Sequence, residues 1–102
     1  STNLKNQKNL IRLNYLKNYY ELSMSEQVFS LIDSFKHFDS NNPDIAPEYM
    51  DEKIKNTIRY ISKISNAKFG GKQLDYAAYK EMEDTRNVLY KKWILEKMKE
   101  LI

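Results

Sequence analysis

The chain has 102 residues, of which 41% are hydrophobic and 30% are charged, and its formal net charge is +3. This length suits one domain with one hydrophobic core, so we predict a single helical domain over residues 1–102. The absence of cysteine from the sequence excludes disulfide scaffolds, thiol catalysis and zinc sites built on cysteine, and the scarcity of Gly and Pro favours long helices.

The first predicted helix spans residues 3–22 and is apolar around most of its circumference. Its apolar residues are Leu4, Leu10, Ile11, Leu13, Tyr15, Leu16, Tyr19, Tyr20 and Leu22. They leave only a narrow polar strip, formed by Asn14, Lys17, Asn18 and Glu21. This wide apolar arc predicts a helix that is buried on more than one side.

The second predicted helix spans residues 24–38. Ser23 and Glu26 have the spacing of a capping box, which marks a helix start. The apolar residues recur with a period of about 3.6 and predict one buried face. That face consists of Met24, Val28, Leu31, Ile32, Phe35 and Phe38. His37 falls on the opposite side, so we predict an exposed histidine without a catalytic role.

The third predicted helix spans residues 47–67. Pro47 suits the first helical position, and the carboxylates that follow it suit the positive end of the helix dipole. Its buried face is predicted to consist of Met50, Ile54, Ile58, Ile61 and Ile64. Gly70 and Gly71 are predicted to end this helix or to form the turn that follows it.

The fourth predicted helix spans residues 74–102 and carries two apolar sets that face different ways. The first set is Ala78, Met82, Leu89 and Trp93, and the second is Ile94, Leu95, Met98, Leu101 and Ile102. On a straight helix the two sets lie about 150° apart. A break near Trp93, or a wide bundle around the helix, would bury both sets. Because no helix breaker occurs at residues 91–95, we expect a straight helix, and hence a four-helix bundle with a long C-terminal helix.

The third predicted helix and the residues just after it carry several cations, with no carboxylate between them. Lys55, Arg59 and Lys63 are spaced i, i+4 and i+8, which places them on one ridge, and Lys68 and Lys72 follow. A phosphate backbone would relieve the mutual repulsion of such cations. The alternative is a solvated lysine face, which the modest net charge favours over nucleic-acid binding.

Catalytic, metal and cofactor sites have little support in the sequence. The chain has one histidine and no phosphate-binding glycine motif. Acidic residues cluster in and after the predicted loop at Asp39, Asp44, Glu48, Asp51 and Glu52. Pro43 and Ile45 occupy places where a calcium loop needs oxygen ligands, so we assign these carboxylates to loop solvation and helix-end charge. We therefore predict a protein that is not an enzyme and binds no metal or cofactor.

The function predicted from these patterns is that of a regulatory or protein-binding domain, whose partner is another protein or a second copy of the chain. The predicted contact surface is the end of the fourth helix: Trp93, Ile94, Leu95, Met98, Leu101 and Ile102. Nucleic-acid binding through Lys55, Arg59, Lys63, Lys68 and Lys72 is the second hypothesis. No apolar run reaches the 18 to 20 residues, roughly, that span a bilayer, so we expect no membrane span and a cytoplasmic location.

Overall fold

The structure, a computed structural model, describes residues 3–41 and 52–102. These residues form five α-helices and no β-strand, which confirms the predicted all-helical class. The helices are α1 (Asn3–Glu21), α2 (Ser25–Asn41), α3 (Glu52–Gly70), α4 (Tyr76–Asp84) and α5 (Lys91–Leu101). Packing occurs between α1 and α2, α2 and α3, α1 and α3, α3 and α5, and α4 and α5.

Helix α1 buries one side only. Leu13, Leu16 and Tyr20 are buried, whereas the opposite side is exposed to solvent. The prediction that this helix is buried on more than one side is therefore wrong for the described residues. The physical reason is that α2 and α3 both pack on the same side of α1, so nothing described covers the other.

The break after α1 lies where it was predicted but has a different cause. Ser23 adopts a left-handed conformation, with a φ of 57°. Its amide donates to the Tyr20 carbonyl, and the Met24 amide donates to the Tyr19 carbonyl at 2.9 Å. This hydrogen-bond pattern is a Schellman motif, which ends a helix. Ser23 therefore terminates α1 rather than capping the start of α2.

The predicted apolar faces of the second and third helices form the centre of the core. Val28, Ile32 and Phe35 of α2 are buried, and so are the four isoleucines of α3, Ile54, Ile58, Ile61 and Ile64. Gly71, with a φ of 72°, ends α3 as predicted. The predicted helix start at Pro47, together with Met50, lies outside the described residues, and the side chains of His37 and Phe38 are not described either.

The single helix predicted over residues 74–102 is divided into two. Asp75 caps α4 by accepting a hydrogen bond from the Ala78 amide, which agrees with the predicted start. The helix then ends at Asp84, and α5 begins only after Tyr90, whose φ of 58° is left-handed. The long C-terminal helix is therefore corrected to two short helices joined by residues 85–90.

Side chains of α3 hold this connection in place. Thr57 is buried, donates to its own helix at the Lys53 carbonyl, and accepts the Leu89 amide at 2.8 Å. The Asn56 side chain donates to the Asn87 carbonyl at 3.0 Å. The Lys91 ammonium donates to the carbonyls of Glu83 and Thr85, which α4 leaves without helical partners at its end. Contacts distant in sequence therefore stabilise the break.

Replacing Thr57 with valine is expected to lower the free energy of unfolding by about 1–3 kcal/mol. Valine keeps the shape of threonine but leaves the Leu89 amide without its acceptor. Ser65→Ala is the matched control on the same helix, because Ser65 is also buried but its hydroxyl has no hydrogen-bond partner among the described residues. Urea denaturation should show lower stability for the first variant only; equal losses would contradict this role of Thr57.

None of the helices within residues 3–41 and 52–102 is both long enough and apolar enough to cross a membrane.

Candidate functional site

The predicted contact surface at the end of the chain lies largely in the protein's own core. Ile94 and Met98 of α5 are fully buried, and Trp93, Leu95 and Leu101 are half-buried against the core. Only Ile102, with 49% of its surface exposed, remains open to solvent. The break at residues 85–90 explains this result. Because α5 does not continue the axis of α4, its apolar face can pack against α3 and α4.

Trp93 connects α5 to the end of α1. Its indole N–H donates to the Glu21 carboxylate, and its ring meets the Tyr20 ring edge-on, with centroids 5.4 Å apart. The Lys97 ammonium lies 3.1 Å from the same carboxylate. These two donors hold the pKa of Glu21 below its usual value. Trp93 therefore makes its contacts within the chain, where it links the last helix to the first.

Among the described residues, the large apolar side chains that are exposed lie mostly on α1. Ile11, Tyr15 and Leu22 expose 58%, 55% and 68% of their surface. At about 100° per residue these three residues fall within about 40° of each other around the helix axis. We call them the outer face of α1. Half-buried Tyr19 stacks on Tyr15, with ring centroids 6.1 Å apart, and extends this face towards α2.

The wide apolar arc of the first predicted helix already includes the residues of this surface, although it predicts that they are buried. Leu10 is exposed as well, so four of the six large apolar side chains exposed in the described residues lie on or just after α1. An apolar arc wider than one packing partner can cover indicates either a second buried side or an exposed one. Only the positions of α2 and α3 distinguish between these two possibilities.

The predicted basic ridge lines a cleft between α2 and α3. Lys55, Arg59 and Lys63 come together there with Lys36 of α2, which lies on a different predicted helix from the ridge. The remaining lining residues are Phe35, Ile58 and Ser62, and the volume of the cleft is about 380 Å³. We call it the basic cleft. Its floor is apolar, and none of the described residues that line it is acidic.

The two other predicted cations lie apart from the basic cleft. The Lys68 ammonium is 4.5 Å from the centre of the Tyr20 ring, on the side of α3 that faces α1. Lys72 follows the end of α3 and lines a different cleft, which borders the basic cleft because Lys63 lines both. Of the five cations predicted to act as one nucleic-acid surface, Lys68 therefore lies on another side of α3, and Lys72 lies beyond the basic cleft.

Arg59 is partly neutralised by α4. Its guanidinium lies 3.5 Å from the Glu81 carboxylate, which also accepts a hydrogen bond from the Tyr60 hydroxyl at 2.5 Å. That hydrogen bond is the main cause of a lowered pKa for Glu81, and burial is the main cause of a raised pKa for Tyr60. Lys36, Lys55 and Lys63 have no carboxylate within 4.0 Å among the described residues.

Residues 3–41 and 52–102 contain no group of three or more His, Cys, Asp or Glu side chains able to hold a metal ion. The same residues present the outer face of α1 and the basic cleft. No protein-family model, curated protein or solved structure matches the chain.

Proposed function

We propose that this protein is a non-enzymatic protein-binding domain and that the outer face of α1 is its contact surface. One observation carries the proposal. Ile11 and Tyr15 on α1, and Leu22 directly after it, form an exposed apolar row, and the other side of the helix is anchored in the core. The predicted C-terminal contact surface offers less exposed apolar area than the outer face of α1, because Ile94 and Met98 are buried.

The energetics favour a partner for this row. Burying a large aliphatic or aromatic side chain stabilises a complex by about 1.5–3 kcal/mol before the cost of ordering both partners. Contiguous exposed apolar patches on soluble proteins commonly mark interaction sites. Tyr15 also combines a large apolar ring with a hydroxyl that remains hydrogen-bonded at the rim of an interface.

The geometry of the row favours a helical partner. Residues 11, 15 and 22 are separated by four and then seven positions, which is the spacing of a seam between two helices. Asn18 occupies the remaining seam position and is exposed. A polar residue at one seam position commonly sets the register of a helix pair. The proposed partner therefore presents one apolar helix face, with a hydrogen-bonding side chain near its middle.

Photo-crosslinking tests the proposal directly. The crosslinking amino acid p-benzoylphenylalanine is placed at Tyr15 and, as the matched control, at Tyr76, which is also an exposed tyrosine on a helix. After irradiation in cells of the source organism, we expect a discrete adduct from position 15 only. Mass spectrometry identifies the partner, and an adduct of twice the mass of the chain identifies a second copy.

Adding Ile11→Ser and Leu22→Ser to the crosslinking variant separates specific from incidental contact. Both positions are exposed, so the circular dichroism spectrum should stay unchanged while the adduct from position 15 disappears. Adducts of equal yield from positions 15 and 76, or an adduct that survives both serine substitutions, would refute the proposed surface.

A further inference from the structure

We infer that the basic cleft between α2 and α3 is a second binding site, and that it takes an acidic amphipathic helix of a partner protein. This site is separate from the outer face of α1. The inference rests on the shape of the cleft, its apolar floor and the sign of the charge around it.

The floor and rim of the cleft differ in chemistry. Phe35 and Ile58 form the floor and are 2% and 7% exposed, so an inserted side chain meets them at the bottom of the cleft rather than on an open surface. Lys36 stands on the α2 side of the rim, and Lys55, Arg59 and Lys63 stand on the α3 side. A ligand that fits must therefore present an apolar group flanked by negative charges.

The cleft continues as a groove along α3. A neighbouring cleft shares Lys36 and Ser62 with it and extends to Ile32 and Asn66. At about 1.5 Å per residue, the part of α3 from Lys55 to Asn66 is about 16 Å long, which matches about three turns of a docked helix. An amphipathic helix that lies in such a groove anchors it through side chains spaced i, i+3, i+4 and i+7.

Charge complementarity favours a partner helix with a negative charge. The basic cleft has four cations and no carboxylate among its described lining residues. Glu81 of α4 pairs with Arg59, and its charge also acts on Lys63. Glutamates on one flank of the apolar face of the partner helix would pair with Lys36 of α2. Glutamates on the other flank would pair with Lys55 and Lys63 of α3. Such rim charges raise the rate of association and reject partners of the wrong sign.

Nucleic acid fits the same cations less well. Single-stranded nucleic acid binds strongly where bases stack on exposed aromatic rings. The only aromatic ring among the described lining residues is that of Phe35, which is buried and is covered on one face by the Arg12 guanidinium at 4.1 Å.

The probe is a synthetic peptide of about 15 residues, long enough to form a helix, with leucines along one face and glutamates elsewhere. Three comparison ligands accompany it: the same peptide with lysine for glutamate, the same peptide with serine for leucine, and an oligothymidylate of about 15 nucleotides. Binding to the full chain is followed by the backbone amide shifts of Lys36, Ile58 and Ser62 in nuclear magnetic resonance spectra at low salt.

We expect the Leu/Glu peptide to shift these three amides and the Leu/Lys and Ser/Glu peptides to bind at least about tenfold more weakly. The double variant Lys36→Glu/Lys55→Glu should weaken binding of the Leu/Glu peptide by at least about tenfold and improve binding of the Leu/Lys peptide. The control variant Lys8→Glu/Lys92→Glu changes exposed lysines on α1 and α5 and has the same net charge, so it should change affinity by less than about twofold.

Several outcomes would overturn the inference. One is that the Leu/Glu peptide leaves the amides of the cleft unshifted, and another is that the two double variants weaken binding equally. If the oligothymidylate shifts the same amides at lower concentration than the peptide does, nucleic acid replaces the acidic helix as the ligand. None of these outcomes bears on the outer face of α1, so the proposed function stands or falls on its own test.

Discussion

Replacing Met98 with alanine is expected to lower the free energy of unfolding by about 2–5 kcal/mol. Met98 is fully buried, and its helix packs on both α3 and α4. Removing its side chain leaves a cavity that the surrounding helices fill only in part. In a chain of this size, a loss of 1 kcal/mol lowers the melting temperature by roughly 4–8 °C, so thermal unfolding should show the change clearly.

Ile102→Ala is the matched control for Met98→Ala. Both residues were predicted to form one contact surface, but Ile102 is half exposed and lies at the end of α5. Its truncation should change stability by no more than about 0.5 kcal/mol. The contrary outcome is that Met98→Ala changes the free energy of unfolding as little as Ile102→Ala does, but abolishes self-association in light scattering. The end of the chain would then be an interface, and Met98 would not be a core residue.

Phe35→Ala is expected to have an equal or larger effect, with a loss of about 3–5 kcal/mol. Phe35 is buried in the core and also forms part of the floor of the basic cleft. The Arg12 guanidinium lies over its ring and donates to the Ser34 hydroxyl at 2.6 Å. Partial burial lowers the pKa of Arg12. Removing the Phe35 ring takes away the aromatic contact of this guanidinium.

Ile11→Ala is the control for Phe35→Ala, because it removes a large apolar side chain that is exposed on α1. Urea denaturation should find it within about 0.5 kcal/mol of the parent protein. Equal losses for the two variants would contradict the separation of α1 into a core side and an outer face, and with it the proposed contact surface.

The sequence alone determines the helical class and much of the core. The i, i+3 and i+4 spacing of the isoleucines of α3, and of Val28, Ile32 and Phe35 in α2, leaves one arrangement that buries them. Gly71 and Asp75 act locally, through a left-handed turn and a side-chain cap, so their roles are also evident from the sequence. The cations Lys55, Arg59 and Lys63 share a ridge for the same periodic reason.

Two features depend on contacts that no local pattern encodes. The connection at residues 85–90 has no glycine or proline, and it is held open by Asn56 and Thr57, which lie about thirty positions earlier in the chain. Because of that break, the apolar face of α5 is oriented independently of the apolar face of α4, and Ile94 and Met98 lie in the core.

The exposed side of α1 was likewise decided by packing. Its wide apolar arc is equally compatible with two buried sides or with one buried and one exposed side. Because α2 and α3 both pack against the side that carries Leu13 and Leu16, the residues Ile11, Tyr15 and Leu22 remain exposed. Periodicity determines which side chains share a helix face, whereas only the arrangement of the neighbouring helices determines which faces are covered.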